Sequence, residues 1–116
     1  MEIWFDGSSD GCRAAWAALV LADGRKPRLV YGTGHHVATG SADRWAARRV
    51  LLRLREMIAA EDTVVVVSDR LDNVSAPVNR HPRLEWVWRS RSHPLIRRLD
   101  RLANRLRRDL PLPVTA

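Results

Sequence analysis

Short apolar runs alternate with polar punctuation along this chain, and the period of each run names the element it forms. Residues 2–6, E-I-W-F-D, read as a strand, and D-G-S-S-D-G after them reads as a turn rich in Gly and Ser. Residues 12–22, C-R-A-A-W-A-A-L-V-L-A, are Ala-rich enough for a helix. The hairpin punctuation A-D-G-R-K-P and the run R-L-V-Y-G-T-G-H-H-V-A that follow favour two further strands instead. Three successive antiparallel strands are therefore expected. His35 and His36 fall side by side on the third and face opposite sides, a structural pair without a metal-ligand spacing.

Over residues 42–59 the period becomes helical. Ala47, Val50, Leu51, Leu54, Met57 and Ile58 share one face, and Ser41 stands at the N-cap position. T-V-V-V-V-S-D follows. Four consecutive valines after a helix predict a strand buried on both faces, as central parallel strands are, ending at Asp69. Residues 70–83 contain Asn73, Pro77, Asn79 and Pro82 and read as a loop with one helical turn at most. R-L-E-W-V-W-R-S predicts a fifth strand, whose Trp86 and Trp88 share a face and suit core packing better than base stacking. Residues 94–110 predict a second helix, with Leu95, Leu99, Leu102, Leu106 and Leu110 as its stripe and Pro94 in its first turn. The order is β-β-β-α-β-β-α. That is an α/β fold with a mixed five-stranded sheet and a right-handed crossover onto the buried strand. No repeat, low-complexity tract or linker divides the chain, so residues 1–110 are expected to form one domain and 111–116 a frayed tail.

Composition narrows the class. The chain has 116 residues, 46% of them hydrophobic, and five Trp, enough for a core. Its single cysteine, Cys12, excludes an internal disulfide framework and a multi-Cys zinc site, and fits a reducing cytoplasm. No uncharged run approaches the ~18 residues that span a bilayer, and Met1 leads directly into an acidic residue and a strand, so neither a membrane span nor a secretory leader is expected. The net charge is +7, from nineteen Arg and Lys26. A GC-rich genome would produce such an excess. A phosphate-binding surface would also use it, because the guanidinium fork grips phosphate oxygens. Clustering decides between them. Arg97, Arg101, Arg105 and Arg108 recur at helical steps along the last helix, and Arg89 and Arg91 occupy the loop before it. A solvated helix face is the plain reading; beside an acidic site the same stripe suits a nucleic-acid backbone.

Three carboxylates provide that acidic site. Asp6 ends the first strand, Asp69 ends the fourth, and Asp100 sits one residue off the Leu stripe of the last helix. Taken singly, Asp6 and Asp69 are turn formers, and Asp100 pairs with Arg97 or Asn104 along its helix. Taken together, they fall at the ends of neighbouring central strands and on the helix edge beside them. Clustered carboxylates repel unless one is protonated or a cation sits between them. Hard oxygen donors suit Mg²⁺ or Mn²⁺.

With these motifs in order, the chain resembles the ribonuclease H family. F-D-G-S is similar to the family's opening strand and turn, and V-V-S-D to its fourth strand. W-V-W-R-S-R-S-H-P-L-I-R-R-L-D-R-L-A is similar to its fifth strand, catalytic loop and last helix. The resemblance implies a ribonuclease H-like fold and metal-dependent hydrolysis of the RNA strand of an RNA–DNA hybrid, leaving a 3′-hydroxyl. It implies Asp6, Asp69 and Asp100 as ligands of two metal ions. Substrate contacts are expected from Gly7 and Ser8 in the opening turn and, from the clustering of charge, from Arg89, Arg91, Arg97 and Arg101. The family's fourth acid is a Glu in the first turn of the first helix, and matching S-A-D-R-W-A-A-R-R-V-L-L-R-L to that helix puts Ala46 there. Asp43, three residues earlier, is the stand-in, unless it serves only the helix N-terminus. The catalytic-loop His falls on Ser90, with His93 three residues on as a substitute or as a helix cap. The alternative reading is a nucleic-acid-binding or protein-interaction module without cleavage. The segment 70–85 is shorter than in the family, so the exposed sheet face predicts a homodimer.

Overall fold

The computed structural model describes residues 1–35, 42–76 and 79–112; His36, Ser41 and Pro77 lie outside them. The elements are β1 (Glu2–Ser9), β2 (Arg13–Leu21), β3 (Arg28–His35), α1 (Ala42–Arg53), α2 (Arg55–Ala59), β4 (Val64–Ser68), α3 (Leu71–Ser75), β5 (Leu84–Trp88) and α4 (Pro94–Asp109). They form one mixed sheet in the order β3-β2-β1-β4-β5. β1, β2 and β3 are antiparallel, and β4 joins parallel to both β1 and β5. The four valines Val64–Val67 make β4 the strand between β1 and β5, as their run predicts.

Two boundaries move. β1 does not stop at Asp6 but continues to Ser9, because Gly7, Ser8 and Ser9 pair with Trp16, Ala15 and Ala14. The turn is confined to Asp10–Cys12. Gly11 takes φ +91°, and the Asp10 carboxylate accepts from the N–H groups of Cys12 and Arg13. The first helix bends at Leu54 (φ −103°, ψ 12°), yet the Leu54 and Ile58 N–H groups keep their bonds to the carbonyls four residues back. Leu54 and Ile58 both face the core, so burial holds the apolar face together through the bend.

The pleat of β1 divides the core. Ile3 and Phe5 point toward α1 and pack with Trp16, Val64, Val66, Ala46, Ala47 and Val50. Trp4 points the other way, into Ala17, Val67 and the Ile96, Leu99 and Ala103 of α4. The buried stripe of α4 is thus Ile96–Leu99–Ala103, one step round from the run of leucines; Leu106 and Leu110 are only half-buried. On the C-terminal half of α4 this inner line continues as Asp100, Asn104 and Arg107, so the packed face turns polar.

The short 70–85 segment does not leave a bare sheet. Trp86 meets Phe5 edge to face (centroids 6.2 Å apart, 86° between planes) and donates from Nε1 to the Asn79 carbonyl at 2.9 Å, while α3 packs on β5. That face is filled from within the chain, and the expected homodimer finds no support. Among the described residues no helix is long and apolar enough to cross a membrane.

Candidate metal centre

β1 and β4 are parallel neighbours, so Asp6 and Asp69 come from adjoining central strands. α1 starts against β1 at Gly7. A Cβ on Gly7 would stand 2.6 Å from the Ala42 carbonyl oxygen and 2.7 Å from the Ala46 Cβ, so only glycine permits this approach. The contact delivers Asp43, in the first turn of α1, to β1, where its Oδ1 accepts from the Gly7 N–H at 3.1 Å. Carboxylate oxygens of Asp6, Asp43 and Asp69 lie within 4.8 Å of one another. Asp6 is 3% exposed and Asp43 7%.

Such a cluster cannot hold three full charges in a dry corner. The Asp6 carboxyl is pushed up to about 10, first by burial, then by the side chain and charge of Asp43, then by the charges of Asp69 and Asp100. Asp69 is also raised, by burial and then by Asp43, with Arg91 opposing. The Arg91 Nε stands 3.5 Å from Asp69 Oδ2, an ion pair too loose for a hydrogen bond. Asp69 Oδ2 is buried and has no hydrogen-bond partner among the described residues. An orphaned carboxylate oxygen facing two more carboxylates is a donor set that suits Mg²⁺ or Mn²⁺.

The remaining expected residues take different places. Asp100 lies on α4 outside the 4.8 Å group, near enough for its charge to act on Asp6. Ala46 is fully buried against Gly7 and the core, so the acid of the first helical turn is Asp43 and a Glu side chain at 46 has no room. His93 is the N-cap of α4: its Nδ1 accepts from the Leu95 N–H at 3.2 Å, and its ring lies 4.6 Å from that of Trp4. Ser8 is buried, its Oγ donating to Asn104 Oδ1 and accepting from Arg107 Nε at 2.8 Å. Arg89, Arg91, Arg97 and Arg101 are all exposed, as are Arg105 and Arg108. Trp88 is exposed and donates from Nε1 to the Asp69 carbonyl at 3.1 Å.

Sequence reasoning passes over Asn73, which is 1% exposed. Its Nδ2 donates to the Asp43 carbonyl and to Ser68 Oγ, both at 3.2 Å, and its own carbonyl accepts from Asn79 Nδ2 at 2.9 Å. One amide therefore ties the first turn of α1 to the end of β4. An Asn two residues into a short α3 carries no pattern that marks it; only its burial does. Asn73→Leu keeps the bulk and removes the tie. It is expected to weaken Mn²⁺ binding by roughly tenfold, the scale on which groups that orient ligands act, as measured by calorimetric titration.

The sheet order, the two helical layers and the acids at the β1/β4 junction define a ribonuclease H-like fold. The chain is similar over 94% of its length to RNase H1 of the halophilic archaeon Halobacterium salinarum NRC-1, covering 98% of that chain at 17% identity with a TM-score of 0.68. It is also similar to LC11-RNase H1, obtained from compost by a metagenomic approach: TM-score 0.62 and 18% identity, over 92% of this chain and 94% of that one. The structure of LC11-RNase H1 in complex with an RNA/DNA hybrid matches at a TM-score of 0.60 and 15% identity, over 90% of this chain and 94% of that one. No protein-family model and no curated protein matches the sequence.

Proposed function

We propose that this protein is a metal-dependent endonuclease that hydrolyses the RNA strand of RNA–DNA hybrids. The observation that carries the reading is the convergence of Asp6, Asp43 and Asp69, with the orphaned Oδ2 of Asp69 among them. The ribonuclease H-like fold supplies the substrate class, since a solved structure of similar fold holds an RNA/DNA hybrid. Asp6, Asp43 and Asp69 would hold Mg²⁺ or Mn²⁺, with Asp100 adding its charge from α4. Ions bound there would supply an activated water and neutralise charge on the leaving oxygen. With ions bound, Asp6 would stand ionised, because a nearby cation reverses the cost of its charge. Arg91, held only loosely by Asp69, turns to the phosphate, and the exposed Arg89, Arg97 and Arg101 attract the flanking backbone. Gly7 fixes Asp43 beside Asp6, and Ser8 ties β1 to α4 through Asn104 and Arg107. His93 serves as a cap rather than a proton carrier. The lone Cys12, exposed, suits work in the reducing cytoplasm.

The test is cleavage of a labelled hybrid, a DNA duplex and a single-stranded RNA, each with Mg²⁺, Mn²⁺ or chelator, beside an Asp69→Asn control. Ion-dependent cutting of only the RNA strand of the hybrid, lost in the control, is the expected result. Equal rates in protein and control would mean a contaminant. Salt-sensitive binding without cutting would mark a nucleic-acid-binding module instead.

A further inference from the structure

A second feature lies in register with Gly7, the neighbour of Asp6. Gly7 pairs with Trp16, and Trp16 pairs with Gly32, so Gly32 lies two strands over, about 10 Å away at ~4.8 Å per strand. All three positions are on the α1 face of the sheet. The Trp16 indole occupies the space that a side chain at 32 would need: a Cβ there would stand 2.6 Å from Nε1. Trp16 is 4% exposed, and its Nε1–H has no hydrogen-bond partner among the described residues. The indole floors a groove between β3 and α1 walled by Arg49, Arg53 and Arg55, all exposed, with Glu56 as the acid on the rim. The groove therefore combines net positive charge with an unused N–H donor, a pairing complementary to an anion.

Its distance from the acids fits a chain of anions. Arg49 and Arg53 follow Asp43 on the same helix by six and ten residues, which is ~9 and ~15 Å at ~1.5 Å per residue. A nucleic-acid strand rises ~3.4 Å per nucleotide, so the groove stands roughly three to four nucleotides from the cutting position.

We propose that this groove holds the phosphodiester backbone of the same nucleic acid, several nucleotides from the acid site. The Trp16 Nε1–H donates to a phosphate oxygen, and Arg49, Arg53 and Arg55 bind its neighbours. The proposal rests on the hybrid-nuclease reading. It is tested by anisotropy with a labelled RNA–DNA hybrid long enough to reach the groove and a shorter one covering only the acids. The protein is the full chain carrying Asp69→Asn, so that nothing is cut. Trp16→Phe keeps the packing and removes the donor, and should weaken binding of the long hybrid by roughly fivefold, the scale of one hydrogen bond. Arg53→Glu with Arg55→Glu should flatten the slope of log Kd against log salt by about 1 for each arginine lost. Binding of the short hybrid should not change. Unchanged long-hybrid binding in both variants, or equal losses for long and short hybrids, overturns the groove alone. A parent that binds no hybrid removes the nuclease reading and the groove together. Thermal unfolding of each variant reports whether its fold is kept; a Trp16→Phe protein that melts early hands the decision to the two surface arginines.

Discussion

Asp43→Asn is expected to slow hybrid cleavage by at least ~10²-fold, the scale on which loss of one member of a preorganised electrostatic site acts. The substitution separates two jobs of one side chain. The amide that replaces the carboxylate keeps an oxygen for the Gly7 N–H, so the junction of α1 with β1 survives. It loses the charge that completes the group with Asp6 and Asp69. The melting temperature should therefore stay close to that of the parent while the response to Mn²⁺ disappears. Asp100→Asn is the informative comparison. Asp100 acts on Asp6 only at longer range, so its loss should cost less. Initial rates under saturating Mn²⁺ check both. A severe Asp100→Asn defect beside a mild Asp43→Asn defect would reverse the assignment of ligands.

The second large effect concerns stability. The Asp6 carboxyl is raised from 3.8 to about 10 in the folded, ion-free protein. The folded state thus prefers the protonated acid. Its contribution to stability is full below pH 3.8 and is lost as pH rises toward about 10. In chelator, the parent should lose stability between about pH 5 and 9 relative to Asp6→Asn, which carries no such charge. At about pH 9 the variant should be the more stable by ~1–3 kcal/mol, the ordinary range of a single-site effect. Divalent ions invert the order. They bind the ionised cluster, so Mn²⁺ at about a hundredfold over its Kd should stabilise the parent by ~2.7 kcal/mol and the variant far less. Thermal unfolding at both pH values, with chelator and with Mn²⁺, reads this directly. Parallel pH profiles and no ion response would mean that the cluster holds no cation.

Much of this is legible in the residues themselves. Four valines after an amphipathic helix announce a strand covered on both sides, and the hairpin punctuation at 22–27 outweighs the alanines of β2. Asp69 follows from the end of β4, and Asp6 is picked out by the same reasoning although β1 runs on past it to Ser9. The first-helix acid is legible only in part, with Asp43 as a stand-in open to a second reading, because its placement depends on register. Sequence matching puts that corner at position 46, and only the approach of Ala42 and Ala46 to Gly7 shows that Asp43 reaches it. Asp100 is placed from a leucine stripe that is not the stripe α4 buries; Ile96, Leu99 and Ala103 set its true orientation. Asn73, Asn79 and Asn104 are illegible for a different reason. An amide has no period; the importance of Asn73 and Asn104 lies in partners thirty and ninety-six residues distant, and that of Asn79 in its bonds with Asn73 and Trp86. The 70–85 segment misleads by its length, since the edge of Trp86 and the amides of Asn73 and Asn79 fill the face it covers.

Gly7 has a consequence for how the molecule can vary. It is at once the hinge plate on which α1 lies and the donor that fixes Asp43. Loosening that seam shifts a reactive group and the interior together. Descendants of this chain can therefore drift at the arginine-rich exterior, but any bulk added at residue 7 forfeits shape and chemistry in a single step.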